Sequence, residues 1–269
     1  GNKRWFRYNK GGGRSKWYGN LNFVVDWKNN GSEIKKYSGS YVRNEDFYFK
    51  KGISFPKISS SNFFCYVNPE GVIFDNAANS IFPPEGEFNS VFSFLNSVVA
   101  EYLLSVSNPT VNFQVGNLAR LPFKSPEGKR RQQIQSLTEE AIRLTEGEAN
   151  SWETSWDFKQ HSLVLQDSAS LEAAYNTRIE QATDDFLRLH ANEEELNELF
   201  IDLYGLEDEL TPRVALDDIT ILEDEFDRDA LEELDDERDD LSDDELRQRF
   251  LEDDPDDALF KVEVPIRQF

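Results

Sequence analysis

The sequence predicts an α+β protein: a small mixed β-sheet domain with one packed amphipathic helix, followed by a mainly α-helical acidic region. Short runs of aromatic and β-branched residues, separated by glycine, asparagine and proline, extend to about residue 81 and are typical of strands and turns. From residue 88 onward the apolar residues recur at helical spacing. The change of period along one chain is what predicts the mixed fold class.

The charge also divides the chain. Residues 1–131 carry 18 Lys and Arg against 10 Asp and Glu, whereas residues 132–269 carry 11 against 42. We therefore expect three parts: a basic α+β domain (1–131), a helical region (132–210) and an acidic C-terminal segment (211–269). A basic half attracts polyanions, and an acidic half repels them or competes with them.

Composition excludes several classes of protein. A chain of 269 residues with 38% apolar residues can bury one or two cores, and no long apolar run predicts a membrane span or a secretion signal. The single cysteine, Cys65, excludes an internal disulfide and is consistent with a reducing cytoplasm. His161 and His190 are too far apart for a local zinc motif, so no metal site is expected. The absence of methionine suggests a piece of a longer protein.

Five strands are expected in the basic domain. They are the aromatic and β-branched runs at residues 22–27, 47–49, 53–58, 63–67 and 72–74. Pro56 lacks a backbone N–H and therefore predicts an edge strand for 53–58. The turn residues at 68–71 separate the last two strands.

An amphipathic helix with a wide apolar stripe is expected over residues 88–104, because its apolar residues follow the helical period. It should end before Asn108-Pro109, and the polar stretch at 110–117 is expected to be strand-like.

The helical region is expected to contain three helices. The first covers 133–145 and ends at Gly147, and the second begins at an N-cap, Ser170. Asn192 and Glu195 form a capping-box pattern that predicts a third helix, which ends at Gly205. The last two helices would form a helical hairpin or small bundle. Trp152 and Trp156, one helical turn apart, indicate packing contacts.

Carboxylates are densest at residues 223–257, where periodic apolar residues still occur. This combination predicts short, strongly acidic helices. Salt adaptation, binding of a basic partner, and cover or mimicry of DNA could each explain the acidity.

Several short segments of the sequence resemble segments of a known protein family. In the basic half they are residues 16–20, 25–27, 42–49, 52–55, 58–60, 71–75, 94–97 and 108–116, and further on they are 152–158 and 192–212. Their order and spacing resemble the C-terminal target-recognition region of BREX-type adenine-specific DNA methyltransferases (the PglX family), which are related to type IIG restriction–modification enzymes. The resemblance covers roughly residues 3–221 and implies a DNA sequence-recognition fragment in phage defence or restriction–modification.

The resemblance also implies partners and a cofactor. Double-stranded DNA, an N-terminal methyltransferase domain and other defence-system subunits are the implied partners, and S-adenosylmethionine would bind to that missing catalytic domain. This chain has no Asn-Pro-Pro-Tyr tetrapeptide, since residues 108–111 read Asn-Pro-Thr-Val. The run Gly11-Gly12-Gly13 is followed by Arg14 and not by a phosphate-loop Gly-Lys. We therefore expect no catalytic residue and no cofactor in this chain.

Candidate DNA-contacting residues share charge, hydrogen-bonding capacity or an aromatic ring in the basic half. They are Arg14, Lys16, Trp17, Tyr18, Asn20, Arg43, Asn44, Glu45, Lys50, Lys51, Lys57, Asn112, Gln114 and Asn117. Arg43, Asn44 and Glu45 match the side chains that read guanine, adenine and cytosine edges, and the lysines would contact phosphates. Trp17 is also a candidate for the core.

Two other functional classes remain. One is a protein-interaction module whose acidic tail binds a basic partner. The other is a magnesium-dependent nuclease that uses the carboxylates of 235–245, although no lysine stands in the Asp…Glu-x-Lys arrangement.

Overall fold

The structure is a computed structural model that describes residues 3–57, 63–107, 113, 115–166, 168–252 and 259–260. Its elements confirm the α+β class, since the basic half contains two small three-stranded sheets and the rest of the chain is mainly helical. Among the described residues, no helix combines the length and the apolar character that crossing a bilayer requires.

The first sheet has the strand order β2-β1-β5. β1 (Trp5–Asn9) pairs antiparallel with β2 (Phe23–Asp26) and parallel with β5 (Ile73–Phe74). The expected strand at 22–27 is confirmed as β2. The parallel pairing places Tyr8 opposite Ile73, so residues that are distant in sequence are neighbours in this sheet.

The second sheet has β3 (Gly52–Pro56) in the centre, between β4 (Tyr66–Asn68) and β6 (Ala78–Ile81). The expectation of an edge strand is therefore wrong. Pro56 is tolerated because it is the last residue of β3 and pairs only with Ala78, while the pairing with β4 ends at Ser54.

The expected strand at 47–49 is also wrong. A 3₁₀ turn covers Glu45–Phe47, and Asn44 and Phe49 both have positive φ angles, 57° and 67°. A strand needs extended φ values, so the left-handed residues at both ends prevent it. A short helix that the sequence pattern did not predict, α1 (Lys28–Lys36), has a left-handed first turn at Asn29, Asn30 and Gly31.

The expected helix at 88–104 is divided into α2 (Phe88–Leu95) and α3 (Val98–Ser107). The division occurs at Asn96, whose side chain accepts a hydrogen bond from the Cys65 N–H at 2.7 Å and donates to the Cys65 carbonyl at 3.2 Å. The residues that follow Ser107, at 108–112, lie outside the described residues, and so does residue 114. Most of the expected strand at 110–117 is therefore not described, and α4 (Val115–Leu118) replaces its last part by a helix.

The helical region contains α5 (Gly128–Ala149), the short α6 (Ser162–Leu165) and α7 (Leu171–Tyr204). Ser170 caps α7 by accepting from the Ala173 N–H, and Gly205 ends it in the left-handed conformation, as expected. The helix start at Asn192 is wrong, since α7 is one continuous helix of 34 residues. The Asn192 amide donates to Glu140 of α5 at 3.0 Å and does not cap a helix.

Short acidic helices are confirmed near the C-terminus as α8 (Arg228–Glu237) and α9 (Asp243–Phe250). Asp227 caps α8, and Ser242 with Glu245 forms a capping box for α9. The apolar residues of this acidic segment are buried. Phe226, Leu231, Leu234 and Phe250 belong to the same core cluster as Trp17 and Phe92 of the basic half.

Candidate functional site

Exposed aromatic side chains concentrate in the first fifty residues. Seven of the twelve exposed large apolar side chains among the described residues fall there: Trp5, Phe23, Val24, Tyr37, Tyr41, Phe47 and Phe49. Residues 3–51 also carry 12 Lys and Arg against 4 Asp and Glu. We call the exposed cations and aromatic rings of residues 3–51 the basic aromatic surface.

Six cations of this surface are exposed and form no ion pair with a carboxylate of the described residues. They are Lys3, Lys10, Lys28, Arg43, Lys50 and Lys51. Five of them lie over aromatic rings. The distances to the ring centres are 4.8 Å for Lys3 and Phe6, 4.9 Å for Lys10 and Phe23, 4.1 Å for Arg43 and Tyr41, 5.3 Å for Lys50 and Phe47, and 4.2 Å for Lys51 and Phe88. These cations remain available to an anionic ligand.

Arg43 and Asn44 lie in an exposed loop, and Glu45, also exposed, begins the 3₁₀ turn that follows. The Arg43 guanidinium donates to the Tyr41 hydroxyl at 2.5 Å, and Asn44 adopts a left-handed conformation. Glu45 is held in an ion pair with Lys35 of α1. Arg43 and Asn44 therefore keep their hydrogen-bonding groups at the surface, whereas the Glu45 carboxylate already has a partner.

The segment from Arg14 to Asn20 is partly packed inside the fold. Trp17 is only 1% exposed, and its ring packs edge-on against Phe92 at 5.2 Å. Tyr18 is largely buried, and burial followed by the nearby Glu146 carboxylate raises its pKa to about 12. In this conformation Trp17 has almost no surface for a ligand, whereas Tyr18 lines a cavity of about 270 Å³ together with Arg7 and Asn20.

Glu193 of α7 explains the position of this segment. The carboxylate, 3% exposed, accepts hydrogen bonds from Lys16 Nζ at 2.5 Å and from Trp17 Nε1 at 2.7 Å. In this conformation Lys16 is thus the partner of a buried carboxylate. Arg14 remains largely exposed and forms an ion pair with Glu223 at 2.9 Å. Asn20 donates to the Ser15 carbonyl at 3.0 Å.

The remaining candidates are scattered. Lys57 follows β3 and is exposed, and its carbonyl accepts from the Phe113 N–H at 3.0 Å. Asn117 is half-buried in α4. Asn112 and Gln114 lie outside the described residues. Of the candidate lysines, Lys50 lies over the exposed Phe47 ring and Lys51 over the half-buried Phe88 ring.

A cleft of about 470 Å³ opens within the basic aromatic surface, and sequence reasoning missed it. Its aromatic walls are Tyr8, Trp27, Tyr41, Tyr48 and Phe74, and its polar groups come from Ser40, Arg43, Asn44, Asp75 and Asn76. No local pattern signals this cleft, because the parallel pairing of β1 with β5 brings Tyr8 and Asp75 together from 67 residues apart. We call it the tyrosine cleft.

Asp75 is the acidic group of the tyrosine cleft. It accepts a hydrogen bond from the Tyr8 hydroxyl and another from the Ala77 N–H at 3.0 Å. Burial, and next the Asp75 carboxylate, raise the pKa of Tyr8 above its ordinary value. Tyr8 therefore stays protonated and holds the carboxylate in place.

Two glycines of the run Gly11-Gly12-Gly13 pack closely against the rest of the chain. A Cβ at Gly11 would lie 2.4 Å from the Ala77 carbonyl oxygen, and one at Gly13 would lie 1.7 Å from the Asn20 side chain. A Cβ at Gly12 would meet no atom within 4 Å. Gly11 and Gly13 therefore permit a close approach of the chain to itself.

The carboxylates of the acidic segment hold the fold together. Asp235 pairs with Arg213 at 2.9 Å and also accepts from the Leu216 N–H at 3.1 Å. Arg238 pairs with Glu194 at 3.0 Å. Within the part of the chain that the structure describes, no group of three or more His, Cys, Asp or Glu side chains is placed to hold a metal ion.

Comparison with known proteins adds two relatives, although no protein-family model matches the chain. The adenine-specific methyltransferase PglX of Lacticaseibacillus casei (strain Zhang) is 37% identical over 232 residues, which are 81% of this chain and 19% of that protein. The adenine-specific methyltransferase BrxX of Escherichia coli O9:H4 (strain HS) is 30% identical over 167 residues, 61% of this chain and 13% of that protein. The chain thus spans less than a fifth of the length of these curated relatives. Over about four fifths of its own length, it is related to one part of the adenine-specific methyltransferases of the PglX and BrxX type.

Proposed function

We propose that this chain is the DNA sequence-recognition (specificity) fragment of an adenine-specific DNA methyltransferase of BREX-type phage defence or restriction–modification. In this proposal the catalytic domain, which binds S-adenosylmethionine, belongs to another part of the longer protein. The fragment would act in the cytoplasm on double-stranded DNA, next to that domain and to other defence subunits. The observation that carries the proposal is the basic aromatic surface on a chain related to these methyltransferases.

The physical argument has two parts. When exposed cations that have no carboxylate partner contact DNA phosphates, the counterions condensed on the DNA are released. This release supplies affinity without sequence preference. Groups that reach base edges supply the discrimination. Arg43 and Asn44 are exposed in one loop and match the side chains that read guanine and adenine. Both kinds of group therefore lie on one surface.

Binding of a labelled 30-base-pair duplex by the full chain, measured by fluorescence anisotropy between about 50 and 200 mM salt, tests the proposal. We expect affinity to fall steeply with salt. The double variant Lys50→Gln, Lys51→Gln should bind more weakly and reduce the slope of log K against log salt by about 1–2. Lys129→Gln, an exposed lysine on α5, is the matched control and should leave both quantities unchanged.

Folded protein that fails to bind duplex DNA at low salt would contradict the proposal. The protein-interaction module would then be the better hypothesis, and its partner would be a basic protein. Point variants suit this test better than removal of the acidic segment, because that segment contributes Phe226, Leu231 and Phe250 to the core.

A further inference from the structure

We infer that the tyrosine cleft takes one unstacked nucleobase from bound DNA. The inference rests on the proposed function and deepens it, because it names the part of the DNA that enters this site. Its volume of about 470 Å³ lies within the range of about 300–1,000 Å³ that is typical of small-molecule sites.

The walls of the cleft suit a flat aromatic ligand. Trp27 packs edge-on against Tyr48 with ring centres 5.3 Å apart, and Tyr48 packs in the same way against Phe74 at 5.3 Å. These contacts fix the rings before any ligand arrives. Tyr41, 76% exposed, lies at the mouth beneath Arg43. A base removed from its stack regains stacking energy on such rings, whatever its identity.

The polar groups match the edge of a base. Arg43 supplies only donors, Asn44 and Asn76 supply both donors and acceptors, and the Asp75 oxygens are acceptors. Each Asp75 oxygen accepts one identified hydrogen bond, so each keeps capacity for a second. A nucleobase presents amino donors beside ring-nitrogen and carbonyl acceptors, and this mixed set can satisfy both kinds of group.

The backbone around the cleft is held in an uncommon conformation. Asn29, Asn30 and Asn44 have φ angles of 50°, 58° and 57°, which residues with a Cβ rarely adopt. Gly31 shares this conformation and lies against Trp27, where a Cβ would be 2.6 Å from the indole ring. Such strain persists where packing enforces it, often at binding sites. The wall formed by Trp27 is therefore pre-formed.

Charge complementarity identifies the source of the base. Arg43 lines the cleft and has no carboxylate partner among the described residues, and exposed Lys28 is next to Trp27 along the chain. The phosphate attached to a base in the cleft would therefore lie within reach of at least one available cation, Arg43. A neutral aromatic metabolite would gain nothing from these cations.

The test compares two duplexes with the same phosphates. One contains a single unpaired nucleotide, tried in turn as adenine, guanine, cytosine and thymine, and the other contains an abasic sugar at that position. Because the unpaired base is already out of the helix, the cost of extruding it is small. We expect the full chain to bind at least one base-bearing duplex about fivefold to a hundredfold more tightly than the abasic duplex.

Variants test whether the ratio of the affinities for the base-bearing and abasic duplexes depends on the cleft. Tyr41→Ala should lower the ratio to near one, and Arg43→Ala should lower it in part. Tyr37→Ala is the matched control for this ratio alone: Tyr37 is 69% exposed in the same segment and does not line the cleft, so the ratio should stay unchanged even where overall duplex affinity falls. Photo-crosslinking of a duplex that carries unpaired 5-iodouracil, read by mass spectrometry, should modify Tyr41, Trp27 or Tyr48.

Three outcomes would overturn the inference alone. The first is salt-dependent duplex binding with equal affinity for the base-bearing and abasic duplexes. The second is crosslinking confined to rings outside the cleft, such as Trp5 and Phe23, and the third is a ratio that Tyr41→Ala leaves unchanged. Failure of the folded chain to bind any duplex would overturn the proposed function as well.

Discussion

Glu193 shows how one buried side chain can change the assignment of a whole segment. The sequence alone predicts that Lys16 and Trp17 contact DNA, because a cation is next to an amphipathic aromatic ring. In the structure both donate to the Glu193 carboxylate, which joins the basic half to α7. A signal for this role exists: Glu193 follows Leu189 by four residues and precedes Leu196 and Phe200 by three and seven, so it occupies the apolar stripe of α7. A charge in such a stripe requires a buried partner.

Glu148 is a second carboxylate whose surroundings matter. Burial, opposed by the hydrogen bond from Trp152 and reinforced by the nearby Glu225, raises its pKa from 4.5 to about 7. The folded state therefore binds a proton more tightly than the unfolded chain does. The resulting contribution to stability is fully present below pH 4.5 and is lost as the pH rises to about 7.

Replacing Glu148 with Gln removes this titration and keeps an oxygen that can accept from Trp152 Nε1. We expect Glu148→Gln to match the wild type near pH 4.5 and to be more stable by about 1–3 kcal/mol at pH 8. Urea unfolding at several pH values measures the difference. Glu139→Gln, at an exposed position of the same helix, should show no such pH dependence. Parallel pH profiles for Glu148→Gln and the wild type would contradict the prediction.

At the scale of elements, α7 carries most of the helical packing. Its buried face includes Ala174, Ala182, Phe186, Leu196 and Phe200, and it packs along α5. The helical period of the apolar residues from Leu171 onward predicts such a stripe, which is buried at Ala174, Ala182 and Phe186 but not at Leu171, which is 67% exposed. The pattern Asn192 with Glu195 predicted a helix start that does not form, because the Asn192 side chain hydrogen-bonds across to Glu140 of α5. A tertiary contact outweighed a local capping signal.

Ala182 tests whether this stripe is core. Since Ala182 is buried between the helices, Ala182→Glu would place an unpaired charge in an apolar contact, and we expect a loss of about 4 kcal/mol or more. Thermal unfolding followed by circular dichroism gives the loss. Gln181→Glu introduces the same residue one position away, on the exposed side, and should change stability by less than about 0.5 kcal/mol. Equal stability of the two variants would show that the stripe is solvated.

At the scale of the whole molecule, the acidic C-terminal segment is a structural part of the protein. Phe226 and Phe250 pack against Phe186 of α7 with ring centres 4.9 and 5.3 Å apart. Glu223 also pairs with Arg14 of the basic half. The acidic segment thus neutralises one cation of the basic half, while six other cations of the basic aromatic surface keep no carboxylate partner among the described residues. This separation lets a chain of net charge −23 retain a cationic face.

Removal of residues 211–269 should therefore damage the fold. Each buried Phe or Leu of the segment contributes about 1.5–3 kcal/mol, and the net stability of a domain is only about 5–15 kcal/mol. We expect the chain 1–210 to lose its cooperative urea transition. In the full chain, Phe250→Ala should cost about 3–5 kcal/mol, and Leu171→Ala, at an exposed position, should cost little. A truncated chain that unfolds at the full-length midpoint would contradict this prediction.

The sequence by itself determined the α+β class, the strand β2 and the short acidic helices, because these depend on local periodicity. It also determined the caps Ser170 and Gly205 of α7, which depend on local capping signals, and the concentration of cations before residue 60, which is a matter of charge count. Only the tertiary structure decided that Pro56 ends a central strand, that Trp17 and Lys16 serve the buried Glu193, and that Tyr8, Trp27, Tyr41 and Asp75 line one cleft. These features join residues far apart in sequence. Strand order, the rotation of a long helix and the partner of a buried charge are set by packing between elements, which local spacing does not encode.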